Sequence, residues 1–224
     1  MSLVTAIYAV DLLGTASFAL SGALRAVDRR PDFVGMLILA TSAAVGGGVL
    51  RDVILKRDIL FLHDVGYPLV VLAAVAAVCV FPFQFSKRER TFRYFDAIGL
   101  GVFTASTAAV TWHTPGVNAL SVLFVATVTG CAGGVVRDLL IHKPTLVLAN
   151  ELYVTPAILG AGALMIAERC GASQAASFVV AMLVTTLLRV CAIRFEWRLP
   201  RIPAIHPAAE PATTTDNGQR TTDS

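Results

Sequence analysis

The chain has 224 residues, 56% of them hydrophobic and only 15% charged, with a mean hydropathy of +0.72. Soluble domains carry roughly 25% charged residues, so the composition argues against a soluble domain and for an all-α polytopic membrane protein. The net charge of +3 is too small, and too confined to loops, to suggest a nucleic-acid partner, and the apolar runs lack the alternation of a transmembrane β-barrel.

A membrane-crossing helix needs about 20 mostly apolar residues. In chain order, seven stretches fit: residues 3–24, 33–55, 67–85, 96–112, 117–140, 153–168 and 174–194. The first is expected to be a span and not a signal peptide, because residues 1–8 hold no Lys or Arg and the apolar run is too long for a signal core. The segment after Pro200 is rich in Pro, Thr and Ala and is expected to be disordered. Loop charges set the orientation. Arg25, Arg29 and Arg30 lie in the first loop, Lys87, Arg88, Arg90 and Arg93 in the third, Lys143 in the fifth, and Arg194, Arg198 and Arg201 at the C-terminal side. Only Lys56, Arg57 and Arg169 lie opposite. The excess predicts the N-terminus outside and the C-terminus in the cytoplasm. Arg189, near the cytoplasmic end of the last stretch, is expected to snorkel.

The chain repeats itself. Asp11, Gly14, Phe18 and Ser21 match Asp96, Gly99, Phe103 and Ser106, each 85 residues on. Arg51, Asp52 and Tyr67 match Arg137, Asp138 and Tyr153, each 86 residues on. Three spans per repeat is an odd number, so the second repeat enters the membrane from the other side, as in inverted-repeat membrane folds. The predicted organisation is a first repeat over 1–85, an inverted second repeat over 86–170, a seventh helix over 171–195 and a tail over 196–224.

Each repeat carries a glycine cluster before an Arg-Asp pair: Gly46, Gly47 and Gly48 before Arg51 and Asp52, and Gly133 and Gly134 before Arg137 and Asp138. Glycine is about 1 kcal/mol worse than alanine inside a helix. The clusters are therefore expected to kink or unwind spans two and five, freeing carbonyls to meet a cation along a hydrated path. Close helix packing is the competing reading, since Gly130 and Gly134 are spaced as a GxxxG pair. Four unpaired charges at the centres of spans would cost about 10 kcal/mol, so Arg51, Asp52, Arg137 and Asp138 must pair, face water or snorkel from helix ends. Asp11 lies inside the first span and is a candidate for ion pairing or permeation. Its match Asp96 has the alternative of capping the start of span four. Hydroxyls on the same spans, including Thr15, Ser21, Ser106 and Thr129, supply neutral oxygens.

Cys79, Cys131, Cys170 and Cys191 form no CxxC pair, and His63, His113, His142 and His206 are scattered. No metal site, cofactor or catalytic set is expected, and the chain is not read as an enzyme.

These motifs resemble those of the prokaryotic trimeric intracellular cation (TRIC) channel family, bacterial members of which carry tandem glycine-transporter domains. The resemblance spans about residues 5–195 and rests on the segment from Asp11 to Ala23 and on the two glycine–Arg–Asp motifs. It implies a homotrimer in a bacterial or archaeal plasma membrane, with a pore for monovalent cations, chiefly K+, inside each protomer along spans two and five. The second cluster departs from a triple glycine, since Ala132 precedes Gly133. The residues themselves leave open a secondary transporter for glycine or a similar small amino acid, and a trimeric scaffold.

Overall fold

The computed structural model describes residues 3–81, 88–147 and 152–197. Among these there are eight α-helices and no strand: α1 (Leu3–Ala26), α2 (Phe33–Ile54), α3 (Leu60–His63), α4 (Gly66–Val80), α5 (Arg88–Trp112), α6 (Ala119–Leu140), α7 (Val154–Arg169) and α8 (Gln174–Arg194). Seven of them correspond to the seven expected spans; α3 is a single turn in the loop after α2. Most of the tail expected to be disordered, from residue 198 on, lies outside the described residues.

Local chemistry explains where α2 and α6 begin and end, and it does so twice. The Asp32 carboxylate accepts from the Gly35 N–H at 2.7 Å, and its match, the Asn118 side chain, accepts from the Ser121 N–H at 2.9 Å. Both are N-caps that satisfy a free helix donor. At the other ends, Lys56 (φ 52°) and His142 (φ 54°) turn left-handed. The Arg57 N–H then reaches the Asp52 carbonyl, and the Lys143 N–H reaches the Asp138 carbonyl, the six-to-one bond of a Schellman end. These ends stop α2 at Ile54 and α6 at Leu140, so each Arg-Asp pair sits in the last turns of its helix.

The structure departs from two expectations. The glycine clusters do not unwind their helices, because α2 and α6 run as unbroken α-helix through Gly46–Gly48 and Gly133–Gly134. No glycine in either cluster has a positive φ. The clusters serve approach instead. A methyl on Gly47 would overlap the Thr129 carbonyl oxygen, and one on its match Gly133 would overlap the Ala43 carbonyl oxygen. Ala43 and Thr129 are themselves matched positions, so the contact is reciprocal. The α2–α6 crossing is thus backbone against backbone, as small residues permit in membranes. Second, α5 starts at Arg88, not near residue 96. Asp96 is therefore interior to its helix and does not cap it.

Because neither backbone at the crossing can move aside, Gly47→Ala and Gly133→Ala are each expected to destabilise the protein by about 1–3 kcal/mol. Gly46→Ala, whose new methyl meets only ordinary contacts at 3.7 Å, is expected to be neutral. Melting of the purified variants in detergent checks the contrast, and equal effects at all three positions would dismiss the crossing as the reason for glycine.

The helices bury polar groups and expose apolar ones. Leu13, Ile38, Leu120, Phe124 and Leu183 face outward, while Arg51, Asp52, Asp96, Arg137, Asp138 and Arg189 are buried. This inversion of the soluble pattern fits a lipid surround. Helices α2, α6 and α8 are each long and apolar enough to cross a membrane unaided. Helix α1 packs on α2, α4 and α5, and α8 packs on α5 and α7. Phe18 and its match Phe103 meet at the centre, rings 5.5 Å apart. Gly14 lies under Phe103 and Val102, and its match Gly99 lies under Phe18.

Candidate functional site: two arginine–carboxylate clusters and a cavity

Each Arg-Asp pair becomes the centre of a cluster that draws on both repeats. In the first, Arg51 Nε donates to Asp52 Oδ1 at 2.8 Å and Nη1 donates to Ser106 Oγ at 3.1 Å, with Asp11 Oδ1 3.9 Å away. Ser106 Oγ also donates weakly to Asp11 Oδ1 at 3.4 Å. In the second, Arg137 Nε donates to Asp138 Oδ1 at 2.9 Å, and Nη1 donates to both Ser21 Oγ and Asp96 Oδ1. Ser21 and Ser106 are matched, so each repeat lends its serine to the other's arginine.

The aspartates of the pairs also hold the following loops. Asp52 Oδ2 accepts from the Leu60 N–H at 3.4 Å, and Asp138 Oδ2 accepts from the Leu146 N–H at 3.2 Å. The Schellman ends make this possible by folding the chain back over the helix terminus. Pairing, not snorkelling, therefore accounts for all four charges. A carboxylate on each side of a buried guanidinium is the arrangement that makes such burial tolerable.

A narrow cleft, open at its mouth and with room inside for about one water molecule, reaches the first cluster. Its polar lining is Asp11, Thr15, Arg51, Asp52 and Tyr67, with Gly48 from the cluster of α2 and an apolar rim from Ile59 to Phe61. Tyr67 Oη donates to Asp11 Oδ2 at 2.6 Å, fixing that carboxylate at the wall. Of the residues singled out in the sequence, Asp11, Gly48, Arg51 and Asp52 thus meet at the cavity. Gly46, Gly47 and Gly133 lie at the α2–α6 crossing. Gly134, Asp96, Arg137 and Asp138 belong to the second cluster, where the Tyr153 hydroxyl and Asp96 close on the Gly134 Cα.

Several participants were not assigned a role from the sequence. Tyr67 and Tyr153 were visible only as repeat markers, and their position at the start of the third span of each repeat was the available signal. Arg25 counted as a loop charge, yet it is buried, 3.9 Å from Asp138 and stacked 4.5 Å from the Phe92 ring. Phe92 also underlies Arg137 at 5.3 Å. Arg189 does not snorkel: only 1% exposed, it donates to the Leu152 carbonyl at 3.0 Å and covers the Tyr153 ring. Its approach to that loop carbonyl ties α8 to the start of α7.

The glycine transporter family matches the chain twice, over residues 8–84 and 93–169. A membrane protein of Vibrio cholerae designated UPF0126 is 31% identical over 202 residues, covering 87% of this chain and 82% of that one. Among solved structures, one reported for the structural basis of conductance through TRIC cation channels is 33% identical, with a TM-score of 0.79, covering 88% of this chain and 98% of its own. The TRIC trimeric intracellular cation channel orthologue from Rhodobacter sphaeroides is 27% identical, with a TM-score of 0.80, covering 86% and 100%. The chain belongs to the prokaryotic TRIC channel family, the membrane proteins built from tandem glycine-transporter units.

Proposed function

We propose that the protein is a passive channel for monovalent cations, K+ foremost, with one pore in each protomer. The observation that carries this reading is the cavity at the first cluster. It offers the Asp11 carboxylate, hydroxyls and a confined positive charge beside the α2–α6 crossing, in a fold shared with TRIC cation channels. The pore passes between the two clusters along α2 and α6. Arg51 and Arg137, each held by two carboxylates, keep the path narrow without leaving it net positive.

The same reading makes α1, α2 and α4 one repeat and α5, α6 and α7 its inverted copy, with α8 as a seventh crossing. The reciprocal contacts at Gly47 and Gly133, at Gly14 and Gly99, and at Ser21 and Ser106 support a pseudo-two-fold axis in the membrane plane. Loop charges favour an orientation with the N-terminus outside and the C-terminus in the cytoplasm of a prokaryotic inner membrane. A homotrimer is the assembly proposed, on the strength of the family. No separate observation favours glycine transport over conduction.

Liposomes containing the purified protein test the reading. Potassium is expected to move down its gradient without saturable uptake of radiolabelled glycine. Saturable, exchangeable glycine uptake with no potassium flux above that of empty liposomes would overturn it.

A further inference from the structure

The ends of α5 and α7 meet at a pair of side chains that takes no part in either arginine cluster. His113 follows directly on α5, where the Thr114 N–H donates to the Thr111 carbonyl at 3.1 Å and the Thr114 hydroxyl donates to the Val110 carbonyl at 2.9 Å. Glu168 lies in the last turn of α7. Gly171 (φ 84°) ends that helix. Its N–H donates to the Glu168 carbonyl and the Ala172 N–H donates to the Ala167 carbonyl, both at 3.0 Å. These two ordered ends bring His113 Nε2 to 3.4 Å from Glu168 Oε1. Sequence spacing could not pair the two residues, since they lie 55 positions apart. Oε1 is buried and has no hydrogen-bond partner among the described residues. Arg169, next along α7, is engaged elsewhere, with its guanidinium over the Trp112 ring, 5.2 Å from the centroid. The His113 side chain is 46% exposed and the Glu168 side chain 14%, so the pair opens to solvent on the imidazole side.

We propose that His113 and Glu168 form a binding site for a divalent transition-metal ion, Zn2+ above all. A tetrahedral Zn2+ holds imidazole nitrogen and carboxylate oxygen about 2.0–2.1 Å away, which sets two such ligands about 3.4 Å apart. His113 Nε2 and Glu168 Oε1 stand at that separation. A neutral imidazole that carries its proton on Nδ1 presents the Nε2 lone pair to the metal, and the carboxylate presents an oxygen that no donor claims. Burying such an acceptor without a partner is costly, and a bound cation removes the cost. Among the described residues no third His, Cys, Asp or Glu joins the pair, so water completes the coordination shell from the exposed side. The mixed nitrogen–oxygen pair favours Zn2+ and Ni2+ over Mg2+ and Ca2+, which prefer oxygen ligands alone. The bound ion ties the end of α5 to the end of α7 and so stabilises the folded protein.

Purified protein without a polyhistidine tag tests the site. Trp112 adjoins His113, and Trp197 is the chain's only other tryptophan. In a Trp197→Phe protein, Ni2+ is therefore expected to quench Trp112 fluorescence saturably, and Zn2+ is expected to displace it. Zn2+ is also expected to raise the melting temperature in detergent by about 2–4 °C at saturation, while Mg2+ at the same concentration has no effect. His113→Gln, at a half-exposed position, is expected to fold normally and to lose both responses. Glu168→Gln removes the charged ligand and is expected to weaken Zn2+ binding by about tenfold or more. Cys170→Ser, which removes an exposed thiol two residues from Glu168, is expected to change neither response. The proposal is overturned if the parent protein shows neither quenching nor a melting shift, which would leave the pair a plain ion pair. It is equally overturned if the responses survive in His113→Gln, which would place the metal elsewhere. No ion flux enters either readout, so failure of the channel reading would appear separately, as absent potassium movement with the metal responses intact.

Discussion

Arg137→Met is expected to prevent the protein from reaching a stable fold. The Arg137 side chain is fully buried and holds Asp138, Asp96 and Ser21 together between the repeats, above the Phe92 ring. Methionine fills much of the volume but leaves two carboxylates buried without their cation. Breaking a buried ion pair on one side costs about 3–5 kcal/mol, and here one cation serves two anions. Arg51→Met is expected to cost less, because Asp11 and Asp52 border a cavity that water can enter. Adding Asp96→Asn to Arg137→Met should recover part of the loss by removing one stranded charge. Size-exclusion behaviour and melting temperature in detergent measure all three. A monodisperse Arg137→Met protein with parental melting would mean that the second cluster contributes nothing to the fold.

Asp11→Asn is expected to leave the fold intact and to lower potassium flux about tenfold. Asparagine keeps an oxygen to accept the Tyr67 hydroxyl and keeps the volume. It removes the carboxylate that lies 3.9 Å from Arg51 and offsets its charge at the cavity wall. Two unit charges about 5 Å apart interact by roughly 3 kcal/mol at an effective dielectric of 20, and less where water penetrates. Losing half of that attraction for an entering cation corresponds to about one decade in occupancy. Flux into liposomes at matched protein density is the measurement. Undiminished flux would make Asp11 a structural acceptor for Tyr67 and nothing more.

Much of the fold was legible because membrane helices must satisfy their own backbones in lipid and be apolar over most of their length. The spans at 33–55, 117–140 and 174–194 therefore fall within two residues of α2, α6 and α8. The start of α5 was not legible. Arg88 to Arg93 reads as a loop by hydropathy, but Phe92 is buried and the helix continues through the charges. The repeat identified Asp11, Asp96 and both Arg-Asp pairs as polar groups of one system, and the structure gathers them into two clusters. Their serine partners were not deducible, since which hydroxyls face a guanidinium depends on how α1 and α5 cross.

The glycine clusters teach a different lesson. Low helix propensity suggested breakage, but propensity counts only about 1 kcal/mol per residue, and tertiary contact decides. At Gly47 and Gly133 the facing carbonyls of Thr129 and Ala43 leave no room for a side chain. Packing against another backbone, and not unwinding, is what requires glycine there. Arg25 misled in the opposite way. As a loop charge it marks orientation, yet it folds inward because Phe92 and Asp138 supply a ring and an anion within reach.

Passive cation conduction is read out by the reversal potential of the purified protein in a planar bilayer. With a tenfold KCl gradient, a cation-selective pore is expected to reverse near the potassium equilibrium potential, about 59 mV from zero for a monovalent ion, with the sign that marks cation movement. A reversal potential of the opposite sign, or membranes that hold the protein yet carry no current, would contradict it.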